Sequence, residues 1–140
     1  MTNNDMQVII GFYKKFDRYK ENTNEDLYQH VLPSFQLKQY KIHKDGENVI
    51  AFTNWAFLNK EAENRYVKTA ELNPEDWNSG NQPWHIDTLC IGNILKVHRW
   101  TKKYFTDLLG ANKTVSWLRV LANGKIKRQT KTLTKKIWDQ

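Results

Sequence analysis

Asp87 stands in Trp84-His85-Ile86-Asp87-Thr88-Leu89-Cys90, a run that reads as a strand. A carboxylate among apolar strand residues is costly to bury unless it is paired or hydrogen-bonded. It therefore either serves structure, bonded to backbone or to Arg119, or it orients, stabilises or itself acts as a general base. His85 lies two residues earlier, and strand alternation places both side chains on one face. A His-Asp pair sharing a face is suited to moving a proton, although the same ring can also simply fill space in the sheet. Cys90 is the one cysteine of the chain. In an apolar run with no helix N-terminus nearby, it reads as an inert buried thiol rather than a nucleophile. His30 reads as a partly exposed cap or core residue at a helix end, His43 as a strand-end residue and His98 as a helix-face residue. No two histidines have a metal-ligand spacing, so no metal is expected.

These residues need a scaffold. Gln7 to Tyr19 reads as a short amphipathic helix with Ile9, Ile10, Tyr13 and Phe16 roughly on one side. Asn22-Thr23-Asn24 offers caps for a second helix that runs to about His30 and is stopped by Pro33. Gln39 to His43 alternates weakly, and Lys44-Asp45-Gly46-Glu47 signals a hairpin turn into the apolar run Asn48 to Leu58. Asn59 to Lys68 is polar and compatible with a helix. Asn73-Pro74-Glu75-Asp76-Trp77 and Ser79-Gly80-Asn81 are turn clusters. Pro83 to Ile91 is a strand, and Ile94 to Leu109 is an amphipathic helix ended by Gly110. Val115 to Val120 and Lys125 to Leu133 form a hairpin about Asn123-Gly124. The order implies a single α+β domain over residues 1–140, with a mixed, mainly antiparallel sheet flanked by helices.

Composition narrows the class. At 140 residues, 39% hydrophobic and a mean hydropathy of −0.78, the chain reads as a water-soluble globule. No apolar run approaches the roughly 18–20 residues that span a bilayer. Acidic and amide residues precede the first apolar stretch, Met6 to Phe12, which argues against a secretory signal. One cysteine excludes an internal disulfide framework and a Cys-cluster metal site. These features point to the cytoplasm. Lys and Arg number 22 against 15 acidic residues, a net charge of +7. The excess is concentrated at one end: no acidic residue occurs from Leu108 to Trp138. Such an end attracts an anionic partner or serves as a solvated face.

In chain order, Val31-Leu32-Pro33, Gln39-Tyr40, Val49-Ile50-Ala51-Phe52 into Trp55-Ala56, Glu75-Asp76-Trp77-Asn78-Ser79-Gly80, Trp84-His85-Ile86-Asp87, Lys102-Lys103-Tyr104-Phe105 and Leu118-Arg119-Val120 resemble the toxin-activating lysine acyltransferases, the hemolysin-activating family. The resemblance covers about residues 6–138, with shorter loops than usual. It implies a fold like the N-acetyltransferase superfamily. It also implies transfer of a fatty acyl group from acyl carrier protein to lysines of a protoxin in the cytoplasm, with no bound cofactor and, in some members, a dimer. The family depends on an aspartate that carries over to Asp87, and on a histidine about a dozen residues ahead of Val-Leu-Pro. Counting back reaches Tyr19, and no histidine occurs before His30, which would lie about three helical turns away. The family's serine a turn earlier is also missing, with Phe16 near that spot.

On that resemblance the candidate catalytic residues are Asp87, His85 and Tyr19, His85 or Tyr19 standing in for the histidine. Amine attack on a thioester would need such a base, with backbone N–H groups of a split strand holding the oxyanion. Trp84, Trp55 and Trp77 are candidates for lining an acyl channel or for the core. Coenzyme A-dependent acetyltransferases carry a glycine-rich phosphate cradle that is absent here, and Gly92-Asn93 is a lone glycine. This fits acyl carrier protein as donor, and the basic Arg119, Lys125, Lys127 and Arg128 would dock that acidic protein. Two other classes remain open. One is a catalytically impaired binding protein on the same fold, such as a phage or mobile-element inhibitor of a host protein. The other is nucleic-acid binding through the basic hairpin, with Trp117 and Trp138 for stacking.

Overall fold

The computed structural model describes residues 3–121, 123 and 125–132. Gly124 of the hairpin turn, Leu133 at the end of its second strand and the stacking candidate Trp138 lie outside the described residues. The elements are α1 (Asn3–Tyr13), α2 (Asn24–Gln36), β1 (Tyr40–Asp45), β2 (Asn48–Leu58), α3 (Lys60–Thr69), a 3-10 turn (Pro74–Asp76), β3 (Gln82–Cys90), α4 (Ile94–Leu109), β4 (Thr114–Val120) and β5 (Ile126–Thr132). The five strands form one sheet in the order β1-β2-β3-β4-β5. Every neighbouring pair is antiparallel except β3 and β4, which are parallel and joined through α4. The chain thus adopts the expected α+β arrangement, and the bounds of β2 and α4 coincide with their apolar patterns.

Side-chain alternation along β2 assigns the layers. Phe52 packs with α1 and α2, and Ala56 and Leu58 pack with α3. Trp55 faces Phe105 of α4 on the opposite side. The sheet is therefore covered on both faces, which explains why β2 reads as a nearly continuous apolar run rather than an alternating one.

The N-terminal helices differ from their sequence patterns. The first helix ends at Tyr13, and the segment to Asn22 closes in successive turns, with bonds such as Tyr19 N–H to Phe16 O at 2.9 Å. The second helix does not stop at Pro33. A proline inside a helix forfeits one backbone bond and costs about 3 kcal/mol, but Val31, Pro33, Ser34 and Phe35 are all buried here. The Thr23-Asp26 capping box also fixes the helix start. Burial outweighs propensity, and His30 lies within the helix rather than at its end.

Strand β3 is irregular on both of its edges. The register against β2 shifts where Asn54 faces Asp87 and Trp55 faces His85, so Ile86 is an extra residue, a β-bulge. On the other side, Trp84 opposite Ser116 is the only registered pair between β3 and β4 among the described residues. Beyond Trp84 the two parallel strands part and leave a gap.

Candidate active site

The bulge turns Asp87 toward α1 and α2. Ile86 packs with the α3 cluster, and Asp87 next to it faces the same side of the sheet. Its backbone N–H donates to Asn54 Oδ1 at 2.8 Å. Asn54 is fully buried and in turn donates through Nδ2 to Ser34 Oγ at 3.2 Å, whose hydroxyl bonds Val31 O at 2.8 Å. The bulged backbone is thus satisfied by a buried polar chain reaching into α2.

The carboxylate itself has three partners. Tyr13 Oη donates to Oδ2 at 2.7 Å, and Tyr19 Oη donates to Oδ1 at 2.7 Å. His30 Nε2 lies 2.6 Å from Oδ2. Burial alone would raise the Asp87 pKa, but the charge and hydrogen bond of His30 and the two phenol hydroxyls hold it at about 2. An ionised carboxylate only accepts, so His30 Nε2 carries the hydrogen of this bond and Nδ1 is left as the basic nitrogen of the neutral ring. Burial disfavours the imidazolium, and Arg18 opposes it too. The charge and hydrogen bond of Asp87 outweigh both, so His30 titrates above its ordinary value. Burial and the neighbouring carboxylate push both phenols up, so Tyr13 and Tyr19 stay protonated donors. The arrangement is an oriented histidine base on a locked carboxylate. With three donors already on it, the Asp87 carboxylate is arranged to orient an imidazole and is poorly placed to take a proton itself.

The bulge separates the pair that alternation would have put together. His85 faces α4, packed against Phe105 with ring centroids 5.3 Å apart, and its Nδ1 lies 3.2 Å from Thr88 Oγ1. Burial and the charge of His98 lower it to about 4. His85 is therefore a neutral core ring with no bond to Asp87. His30, which the sequence placed at a helix end as a partly exposed cap or core residue, is the histidine bonded to Asp87 instead. The signal was present: with the helix continued through Pro33, His30 shares a face with Leu27 and Ser34, both buried. Tyr13 and Asn54 were legible only as core residues.

Two cavities meet at Asp87. An open cleft of about 620 Å³ occupies the gap between β3 and β4, bounded by Tyr19, His85, Leu89, Val97, Thr101 and Trp117 among others. A smaller cavity of about 250 Å³ lies between α2 and the segment after α3, bounded by His30, Pro33, Tyr66, Glu71 and Trp77. Arg18, Ile86 and Asp87 line both. Arg18 is exposed at their shared rim, its guanidinium 5.3 Å from the Tyr19 ring centroid.

The other predicted residues divide. Trp84 is fully buried, donates Nε1–H to Glu63 Oε2 at 2.7 Å and packs edge-on against Tyr66, so it is core and lines neither cavity. Trp55 and Trp77 are core as well, and the tryptophan at the cleft is Trp117. Arg128 is held by Glu63 Oε1 at 3.3 Å and Ser116 Oγ at 3.1 Å over the Trp84 ring. It braces α3 to the sheet and is not a free docking charge. Arg119, Lys125 and Lys127 are exposed, and Arg119 and Lys127 are cross-strand partners. The Cys90 thiol is half-buried and bonds Gly92 O at 3.5 Å. Among the described residues, no group of three or more His, Cys, Asp or Glu is placed to hold a metal ion. Among them, too, no helix is long and apolar enough to cross a membrane.

Residues 6–133 match the RTX toxin acyltransferase family. A leukotoxin-activating lysine-acyltransferase from a Pasteurella haemolytica-like species (strain 5943B) is 29% identical over 121 residues, 80% of this chain and 73% of that protein. The leukotoxin-activating lysine-acyltransferase of Mannheimia haemolytica serotype A1 is 40% identical over 103 residues, 72% of this chain and 62% of its own length. A protein-lysine myristoyltransferase of Escherichia coli is 33% identical over 81 residues, 56% of this chain and 48% of the relative. The matched region thus spans from about half to about three quarters of these relatives.

Proposed function

Because the chain belongs to the RTX toxin acyltransferase family, we propose that it is a protein-lysine acyltransferase that uses His30 as base and an acyl carrier protein thioester as donor. The observation that carries this is the His30–Asp87 pair, 2.6 Å apart, with His30 on the smaller cavity and Asp87 bordering both that cavity and the open cleft. In the reaction, His30 Nδ1 takes a proton from the lysine amine as its nitrogen attacks the thioester carbonyl. The C–N bond forms, the C–S bond breaks, and the proton passes from His30 to the departing thiolate. Asp87, held by Tyr13 and Tyr19, fixes the tautomer and supports the imidazolium that forms in between.

The cleft suits the donor. Its walls include Leu89, Val97, Trp117 and Leu118, an apolar surface for an acyl chain. We assign the fold to the N-acetyltransferase type on the parallel β3-α4-β4 unit, whose strands part after one registered pair. β3 past Trp84 has no registered β4 partner among the described residues, so its outward backbone N–H groups are available to a developing oxyanion. Exposed positive charge on Arg119, which follows the cleft-lining Leu118, and on Lys125 and Lys127 of the same hairpin would raise the encounter rate with an acidic carrier protein. Acting on a protein acceptor before its export would place this chemistry in the cytoplasm.

The alternative of a catalytically impaired binding protein rested on the missing histidine, and the bond from His30 to Asp87 supports the enzyme reading over it. The test is to incubate the protein with long-chain acyl-acyl carrier protein and an RTX protoxin and to follow both by intact mass. Loss of acyl from the carrier, matched by gain on the acceptor and abolished by His30→Ala and Asp87→Asn, is expected. A carrier that stays acylated at its buffer rate sinks the proposal.

A further inference from the structure

The two cavities give the reacting groups separate approaches, and the smaller one has the features of a lysine site. His30 lines the smaller cavity and not the cleft, whereas Tyr19 lines the cleft and not the smaller cavity. Only Arg18, Ile86 and Asp87 border both. The base is thus reached from the smaller cavity rather than from the apolar cleft. At about 250 Å³ the smaller cavity admits one extended side chain and has no room for a long acyl chain. Its wall carries Glu71, an exposed residue in the segment just after α3 with no ion pair among the described residues. A carboxylate there and a carboxylate-backed imidazole farther in bracket a slot suited to a flexible cation that must arrive charged and react neutral. Arg18 at the inner rim favours the second state, because its charge repels an ammonium but not an amine.

We propose that the cavity between α2 and the segment after α3 is the acceptor-lysine site, with Glu71 recruiting the ammonium and Gln29 and Pro33 forming the wall along which the side chain lies. This rests on the acyltransfer reading above, and it adds that donor and acceptor enter from opposite sides of Asp87. Both are then bound at once, and acyl passes directly from sulfur to nitrogen with no acyl-enzyme between.

The test uses Nα-acetyl-lysine amide as acceptor and acyl-acyl carrier protein as donor, with initial rates over a grid of both. Glu71→Gln should raise the acceptor KM about three- to fivefold, the worth of an exposed charge pair, with the donor KM unchanged. Gln29→Trp, which fills the cavity from an exposed position on α2, should raise the acceptor KM more than tenfold, again at constant donor KM. Intersecting double-reciprocal lines are expected for a ternary complex. Unchanged acceptor KM in both variants, a rise in donor KM instead, or parallel lines with an isolable acyl-enzyme would overturn the assignment. If wild-type protein consumes no donor, the acyltransfer reading fails. The cavity is then judged by whether lysine amide shifts the NMR signals of Gln29 and Glu71, and silence there overturns it as well.

Discussion

The rings of Tyr19 and His30 lie 5.6 Å apart, centroid to centroid, and both side chains end on the carboxylate of Asp87. Along the sequence they are separated by a distance that one continuous helix would stretch to about three turns. The turns between Lys14 and Asn22 fold that distance away, so α2 returns beside Tyr19. Tyr19 stands where the family pattern expects a histidine, and His30 reaches the same carboxylate from the next element. Asp87 accepts both because its two oxygens are open to donors from α1, α2 and the turns between them.

The two residues should therefore separate cleanly on substitution. His30→Ala removes the base and is expected to lower kcat by about 10²–10⁴, with donor binding retained. Tyr19→Phe removes one donor from a carboxylate that keeps two others, so kcat should fall by less than about tenfold while stability drops by roughly 1–3 kcal/mol. Single-turnover rates and urea titrations on both variants give the comparison. If Tyr19→Phe proves the more damaging to kcat, Tyr19 and not His30 is the proton-transfer group.

Titration gives an independent check. The groups facing His30 are Asp87, Arg18 and the rings of Tyr13 and Tyr19, and the balance raises its pKa. A base must be neutral to act, so kcat/KM should rise with pH through a value above the ordinary histidine pKa of about 6.5. In NMR titrations, the His30 imidazole should titrate at that same value, and in Asp87→Asn it should fall below it.

The same pair has a stability signature. The raised His30 pKa adds stability that is fully present below about pH 6.5 and is lost as pH rises through the folded value. The lowered Asp87 pKa, about 2 against 3.8, adds stability present above about pH 4 and lost as pH falls toward 2. Urea midpoints for the native chain should therefore peak between about pH 4 and 6.5. The peak should flatten in Asp87→Asn. A midpoint in native protein that falls neither below about pH 4 nor above about pH 6.5 would show that the pair is not formed in solution.

How much of this was legible in the sequence differed by residue. A near-continuous apolar run located β2 and apolar periodicity located α4, because burial on both faces of a strand or one face of a helix dictates those patterns directly. The Asp-Trp-x-Ser-Gly block was legible as a marker but not as a brace. Asp76 holds Arg65 and the Asn73 N–H, Ser79 Oγ accepts from the Asn59 N–H, and Gly80 lies against the same backbone. Its part is to anchor the end of β2 beside α3. The His30–Asp87 pair was hidden for two physical reasons. Pro33 suggested a helix end because its intrinsic cost is visible in sequence, whereas the burial that overrides it is not. The bulge at Ile86 inverted the face of Asp87, since one inserted residue changes every later side in a strand of period two.

Gly80 gives a prediction that tests the brace alone. A Cβ at this position would come within 2.6 Å of Asn59 N and Cα and Leu58 O, all backbone atoms that cannot step aside. Gly80→Ala should cost about 1–3 kcal/mol of unfolding free energy, the range for overpacking. The His30 NMR signal should be unmoved in the folded fraction. Full stability in Gly80→Ala would mean that the loop swings free of α3 and that the motif has another use.

The basic residues make the last separation. Arg128 lies between Glu63, Ser116 and the Trp84 ring, so Arg128→Ala leaves a largely buried Glu63 carboxylate without its cation and strips packing from Trp84. It should lower stability by about 1–3 kcal/mol at every salt concentration, with little change in donor KM once the protein is folded. Arg119 and Lys127 have no such structural partner among the described residues and sit opposite one another on an exposed hairpin. The double change Arg119→Glu with Lys127→Glu should leave stability within about 0.5 kcal/mol. It should also raise the KM for acyl-acyl carrier protein, most at low ionic strength and vanishingly near about 1 M salt, where screening reaches contact distance. The two variants must therefore differ in kind, one moving the urea midpoint and the other the salt dependence of donor KM. If reversing the Arg119 and Lys127 charges leaves the donor KM flat across salt, the carrier protein docks elsewhere on the chain.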